Sequence, residues 1–290
     1  MDRVRSIRTK SSAKNQFQCE SLPTMPLNVR AVFISDVHLG FSGCSAEFLT
    51  DFLGRLRCDV IYLVGDIIDF INLRKRPEWV ASHSMVIEKL LEMTRSGTRV
   101  IYVPGNHDEA LRHYVGLKIG LLEIHDQFIH TTADQRRILV THGDQFDSVV
   151  RCSPLLALIG TWVYDGLLKV NGWLNWCRQK SGREYWSLAT FVKTRVRNAM
   201  EYIDRFEQAV MAFAHKENVD GVICGHIHRA EIRHGKGLTY MNCGDWVESC
   251  TALVEHRDGR IELLQWREKA KSLKADQVPM NEPDLQGRAA

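Results

Sequence analysis

Much that would place this chain elsewhere is missing from it. Its 8 cysteines form no C-x-x-C pair and no zinc-ribbon spacing. An even count in 290 residues is poor support for a disulfide framework, so the cysteines read as small buried hydrophobes in a reducing compartment. No apolar run reaches the roughly 18–20 residues a spanning helix needs. The longest, Leu155 to Tyr164, is about half that. The first twenty residues are basic but lack an apolar core, so they are not expected to act as a secretory signal. A cytoplasmic protein, able to rest on the inner membrane without crossing it, is the expectation. Net charge is low as well: +3 does not argue for nucleic acid. Internal repeats and low-complexity blocks are absent.

What is present reads as an α/β domain. Residues 1–28 are polar, basic and end in turn-prone prolines, so they are expected to be a mobile tail. Val29 to Ser35, Val60 to Val64, Val100 to Val103, Arg137 to Thr141 and Gly221 to Cys224 are short β-branched runs that read as buried strands. Helical patterns separate them: one after Ser45 with Leu49, Phe52, Leu53 and Leu56 on one face, another over about residues 77–96. Hairpin signals flank Leu238 to Asn242, Thr251 to Glu255 and Arg260 to Leu264. The domain spans 29–267, and residues 268–290 fray. Residues 151–215 interrupt the alternation with helical periodicity and four of the seven tryptophans, and read as a helical insertion.

Five motifs fall at the carboxyl ends of these strands: Asp36-Val37-His38, Gly65-Asp66-Ile67-Ile68-Asp69, Gly105-Asn106-His107-Asp108, Thr141-His142-Gly143-Asp144 and Gly225-His226-Ile227-His228. Open α/β sheets place their ligand sites there. Carboxylates, imidazoles and one amide oxygen form a donor set that suits borderline divalent ions, Mn²⁺ first, with Zn²⁺ or Fe²⁺ as alternatives, better than Ca²⁺. In Asp36-x-His38 and His226-x-His228, residues two apart on extended chain point the same way. Asp66 is the natural bridge between two ions, because a carboxylate has two oxygens. Two ions about 3.5–4 Å apart can clamp a phosphoryl group and acidify water. His107, next to Asn106, is placed to serve the leaving group, with Asp108 positioned to orient it. Asp69 caps a turn or supports the site.

Together the five motifs resemble those of the calcineurin-like metallophosphoesterase superfamily. The resemblance covers about residues 29–266 and implies a two-sheet αββα sandwich. It implies Asp36, His38, Asp66 and His228 at one metal, Asp66, Asn106, His142 and His226 at the other, and His107 as the catalytic histidine. Chain length, the insertion and Gly244-Asp245-Trp246 resemble the UDP-2,3-diacylglucosamine pyrophosphatase family of lipid A synthesis. In that family a pyrophosphate is hydrolysed at the α-phosphorus, giving UMP and the acylated sugar 1-phosphate. One departure stands: that family's third motif carries Arg after Asn, whereas His107 here follows the wider superfamily.

The insertion carries Trp162, Tyr164, Trp173, Trp176, Tyr185 and Trp186 beside Arg178, Lys180, Arg183 and Lys193. Such a surface suits an acylated anionic substrate or a membrane interface. A helical hairpin packed on the domain, or a dimer contact, would look the same. Lys180, Lys193 and Asp245 join the candidate substrate contacts. Arg112 either meets a phosphate or faces solvent. Asp147, like Asp144, either orients His142 or binds the nucleotide. The alternatives to a lipid substrate are a metallophosphatase or phosphodiesterase acting on a nucleotide or phosphoprotein, and a scaffold that kept the fold without catalysis.

Overall fold

The structure, a computed structural model, describes residues 26–150, 188–235 and 237–267. Two sheets face each other. The larger has seven strands in the order β14-β13-β2-β4-β5-β7-β6. These are β2 (Ala31–Ile34), β4 (Val60–Val64), β5 (Arg99–Val103), β6 (Lys118–Ile119), β7 (Leu122–Ile124), β13 (Thr251–Glu255) and β14 (Ile261–Gln265). The smaller has five, ordered β11-β12-β10-β9-β8. They are β8 (Phe128–Thr131), β9 (Arg137–Val140), β10 (Gly221–Cys224), β11 (Glu231–Gly235) and β12 (Leu238–Asn242). A two-residue pair, β1 (Leu27–Asn28) with β3 (Leu56–Arg57), recruits the end of the expected tail.

Alternation along each strand builds the layers. Ala31, Phe33, Val60, Tyr62, Val64, Ile101 and Val103 point between the sheets, where they meet Ile138, Val140, Ile223 and Met241. Their neighbours Val32, Ile34, Ile61, Leu63, Val100 and Tyr102 point outward and are covered by α1 (Ala46–Arg55) and α3 (Ala81–Arg95). Strands buried on both faces read as continuous apolar runs, which is why these were evident in the sequence. On the other side Leu139, Val222, Cys224 and Tyr240 pack on one long helix, Leu188–Lys216. With α2 (Phe70–Lys75) and α4 (Asp147–Val150) already placed, that helix is α5. The result is the expected αββα sandwich.

Sequence and structure part in several places. Helix α3 begins at Ala81, later than expected, and Met85 and Leu91 face solvent while His83, Val86, Leu90 and Met93 are buried. The carboxyl-terminal part of the expected insertion is an outer layer of the sandwich: Tyr202, Phe206, Val210 and Ala214 are buried against the smaller sheet. Residues 151–187, with Lys180 and the four tryptophans, lie outside the described residues.

Strands β2, β4, β5 and β7 run parallel, as do β9, β10 and β12. The loops that leave β2, β4, β5, β9 and β10 therefore open on one edge of the sandwich, and these are the loops that carry the five motifs.

Candidate metal centre

Backbone hydrogen bonds lock the loops to one another. Val37 and His38 both donate to the carbonyl of Asp66, at 3.0 and 2.9 Å. Gly225 donates to His142 at 3.0 Å, and Trp246 donates to Asp36 at 3.0 Å. The buried amide of Asn242 links the last two loops, donating to Gly225 at 2.8 Å and accepting from Gly244 at 2.9 Å. So tied, the chain holds Asp36, His38, Asp66, His226 and His228 at positive φ, between 52° and 71°. Non-glycine residues seldom adopt that region, and when they do in numbers the strain marks a functional site. Glycine is required where the loops touch. A Cβ on Gly105 would stand 2.6 Å from the His142 ring and closer still to Asp66.

The side chains converge. Three overlapping groups have ligand atoms within 4.8 Å of one another: Asp36, His38 and His228; His38, Asp66 and His107; Asp36, Asp66 and His142. His228 Nε2 is 3.2 Å from Asp36 Oδ1, and His142 Nε2 is 3.4 Å from Asp66 Oδ2. The Nε2 atoms of His38 and His228 are 3.4 Å apart. His142 donates through Nδ1 to the carbonyl of Val64 at 2.9 Å, which leaves Nε2 to face the centre.

A cation fits this arrangement. Asp36 Oδ1, Asn106 Oδ1 and His142 Nε2 are buried with no hydrogen-bond partner among the described residues, although buried polar atoms are seldom left so. Burial by itself would raise the pKa values of Asp36 and Asp66, but the surrounding histidines, His228 and His142 foremost, hold both below the ordinary carboxylate value. Burial would lower that of His142, yet Asp66 and Asp36 push it up to about 10. Two ionised carboxylates therefore demand positive charge at this point, and a divalent ion can take the place of the proton.

His107 also enters the centre, its ring 4.7 Å from that of His38. Its expected partner is corrected. Asp108 does not orient it: that carboxylate is fully buried and accepts from Ile67 N at 2.8 Å, Gly105 N at 2.6 Å and Tyr102 Oη at 2.5 Å. Burial raises its pKa. Asp108 thus shapes the loop that presents Asn106 and His107. The carboxylate beside His107 is Asp69, with Oδ1 2.9 Å from Nδ1. Asp69 also lies 3.4 Å from His38 Nδ1 and caps α2 by accepting from Asn72 N at 2.7 Å, so it combines both roles considered for it. Against the depressing effect of burial, Asp69 and Asp66 raise the pKa of His107.

The candidate substrate contacts are corrected in part. Asp245 is turned into its own loop, where Oδ1 accepts from Val247 N at 2.8 Å and Glu248 N at 2.5 Å and Oδ2 from Ser249 Oγ at 2.8 Å. It shapes the turn that delivers Trp246 to Asp36. Arg112 is paired with Asp144 at 2.7 and 2.9 Å rather than facing solvent. Asp147 does not orient His142: its carboxylate meets His226 and Tyr202, at 2.9 and 2.6 Å. Lys193 lies on α5, but its side chain, like the whole of Lys180, falls outside the described residues. Sequence reasoning missed Asn242 and Tyr202, whose roles come from contacts between distant segments and leave no local pattern.

The sandwich and its loop-borne centre define a phosphoester-hydrolysing enzyme that depends on divalent metal. The chain belongs to the calcineurin-like phosphoesterase family, whose model matches residues 29–230. Among its relatives, UDP-2,3-diacylglucosamine hydrolase of Vibrio cholerae is 24% identical over 236 residues, covering 78% of this chain and 94% of that protein. The enzyme of the same name from Neisseria meningitidis is 24% identical over 241 residues, covering 74% and 89%. A solved archaeal phosphodiesterase aligns over 81% of this chain and 98% of its own with a TM-score of 0.39 and 12% identity.

Proposed function

We propose that this enzyme hydrolyses the pyrophosphate of a UDP-linked acylated sugar, taking UDP-2,3-diacylglucosamine to UMP and 2,3-diacylglucosamine 1-phosphate with two divalent ions, Mn²⁺ by preference. The observation that carries the reading is the pair of relatives of that name, which align along most of both chains. The centre is compatible with it. Asp36, His38, Asp66 and His228 would hold one ion, and Asp66, Asn106, His142 and His226 the other. When bound, the ions would polarise the phosphoryl oxygens and acidify water. His107, with Nδ1 against Asp69, keeps Nε2 available to pass a proton to the departing phosphate. The reaction would run in the cytoplasm at the surface of the inner membrane, where an acylated substrate resides. No described helix is long and apolar enough to cross a membrane.

UDP-2,3-diacylglucosamine presented in detergent micelles with Mn²⁺ tests the reading, with UMP followed by chromatography. Turnover that exceeds that of a soluble aryl phosphodiester supports it. Robust cleavage of the soluble ester with no UMP would transfer the assignment to a phosphodiesterase or phosphatase acting on a nucleotide or phosphoprotein.

A further inference from the structure

We infer that Asp147 and Tyr202 are a positioning pair that fixes which nitrogen of His226 faces the metal centre, and so ties the occupancy of one ion to the placement of α5. The inference rests on the two-ion reading above. Asp147 opens α4, five residues after His142, and Tyr202 stands on α5. A single oxygen, Asp147 Oδ1, receives both His226 Nε2 at 2.9 Å and Tyr202 Oη at 2.6 Å.

Neutral imidazole has one N–H and one lone pair. A carboxylate accepts at Nε2, so the proton sits there and the lone pair is at Nδ1. His226 therefore presents Nδ1, the opposite choice from His142, whose Nδ1 is committed to a backbone carbonyl. Among the described residues, little else fixes the His226 ring. Its backbone N–H donates to Asp36 Oδ2 at 3.0 Å, and its ring lies between Phe206 and His142 with centroids 5.8 and 5.2 Å away. Those contacts restrict the plane of the ring without choosing between its two nitrogens.

Tyr202 keeps the pair in register. It is 3% exposed, its ring stacks near Phe206, and its hydroxyl supplies a second donor to a carboxylate whose side chain is about one third open to solvent. Carboxylates that accept from a metal-ligating histidine raise its basicity and set its orientation, and their loss weakens metal binding about 10–100-fold. Asp147 holds that position toward His226, and Tyr202 holds Asp147.

Titration of metal-free protein with Mn²⁺ in a calorimeter tests the pair without any substrate. Wild-type protein is expected to take up two ions. Asp147→Ala should weaken one of them about 10–100-fold and leave the other in place. Asp147→Asn, which keeps an acceptor but not the charge, should fall between, and Tyr202→Phe should weaken the same ion by a smaller factor. Two ions held at wild-type affinity in Asp147→Ala, or an equal loss of both, would overturn the inference. Should that variant unfold, Asp147→Asn and Tyr202→Phe decide by the same criterion. Wild-type protein that takes up no ion would overturn the two-ion reading and this one together, whereas normal uptake without turnover of the acylated substrate leaves the pair standing and removes only the substrate.

Discussion

Asp69→Asn separates the orientation of His107 from the folding of the site. Asp69 Oδ1 stands 2.9 Å from His107 Nδ1 and accepts from Asn72 N at 2.7 Å as the cap of α2. Asparagine caps a helix about as well as aspartate, so the variant should fold with little change in melting temperature. What disappears is the negative charge. Hydrogen bonds to charged groups contribute about 1.5–3 kcal/mol against about 0.5–1.5 for neutral pairs, a difference of about 1–2 kcal/mol here. At 1.36 kcal/mol per unit, the pKa of His107 should fall by about one unit.

The sign is fixed by the direction of the existing shift. Burial depresses the pKa of His107, and Asp69 and Asp66 more than offset it. Neutralising Asp69 lets the depressing effect gain, so the protonated form is lost at lower pH. Bound ions would lower the pKa in both proteins, and the difference between them remains. The alkaline limb of the kcat profile should move down by about one pH unit, with kcat near pH 8 reduced about 10–100-fold once lost orientation is added. Steady-state rates on an aryl phosphodiester from pH 5 to 10, with metal content measured in parallel, would read both effects. An alkaline limb in the same place for both proteins, at equal metal content, would refute the role given to Asp69.

Three further outcomes follow from other contacts. Asp108→Asn should leave that limb where it is but lower stability by about 1–3 kcal/mol, because an amide NH₂ would face Ile67 N–H, Gly105 N–H or the Tyr102 hydroxyl; thermal unfolding with the pH profile of activity checks it. Gly105→Ala should cut metal affinity by at least about tenfold, as for other losses of ligand support, since the new methyl collides with Asp66 and His142; calorimetric titration reads it. Glu255, buried and joined to Arg30 at 2.8 Å, His130 at 2.7 Å and Ala133 N at 2.7 Å, has a pKa that burial would raise but these partners hold below the ordinary value. Its contribution is thus complete above the unfolded pKa of about 4.3 and lost as pH falls through the lower folded one. Glu255→Gln should cost about 3 kcal/mol at pH 7, or ~6–12 °C in melting temperature, and show a weaker loss of stability in acid than wild type.

The ease with which residues were read from the sequence follows how local their causes are. Strands β2, β4, β5 and β10 were evident because burial on both faces requires uninterrupted apolar residues, and each carries its motif on the next loop. Asp36, His38, Asp66, Asn106, His107, His142 and His228 needed only the rule that such loops meet at one sheet edge. Partnerships were another matter. Asp108 is adjacent to His107 in sequence, which makes it the expected partner, yet adjacent side chains diverge, and the carboxylate that meets His107 lies 38 residues earlier on the loop after β4. Asp245 reads as a ligand contact because it is an acid in a conspicuous Gly-Asp-Trp, but an acid followed by a run of backbone N–H groups turns inward and accepts from Val247, Glu248 and Ser249. Tyr202 carried no signal, since on a helix with a buried face one more aromatic reads as core. The same distinction limits the function. Donor atoms at strand ends specify the reaction, because metal chemistry constrains residue type as well as position. What the enzyme hydrolyses depends on contacts that any apolar or basic side chain can make, and such contacts leave no fixed spacing to read.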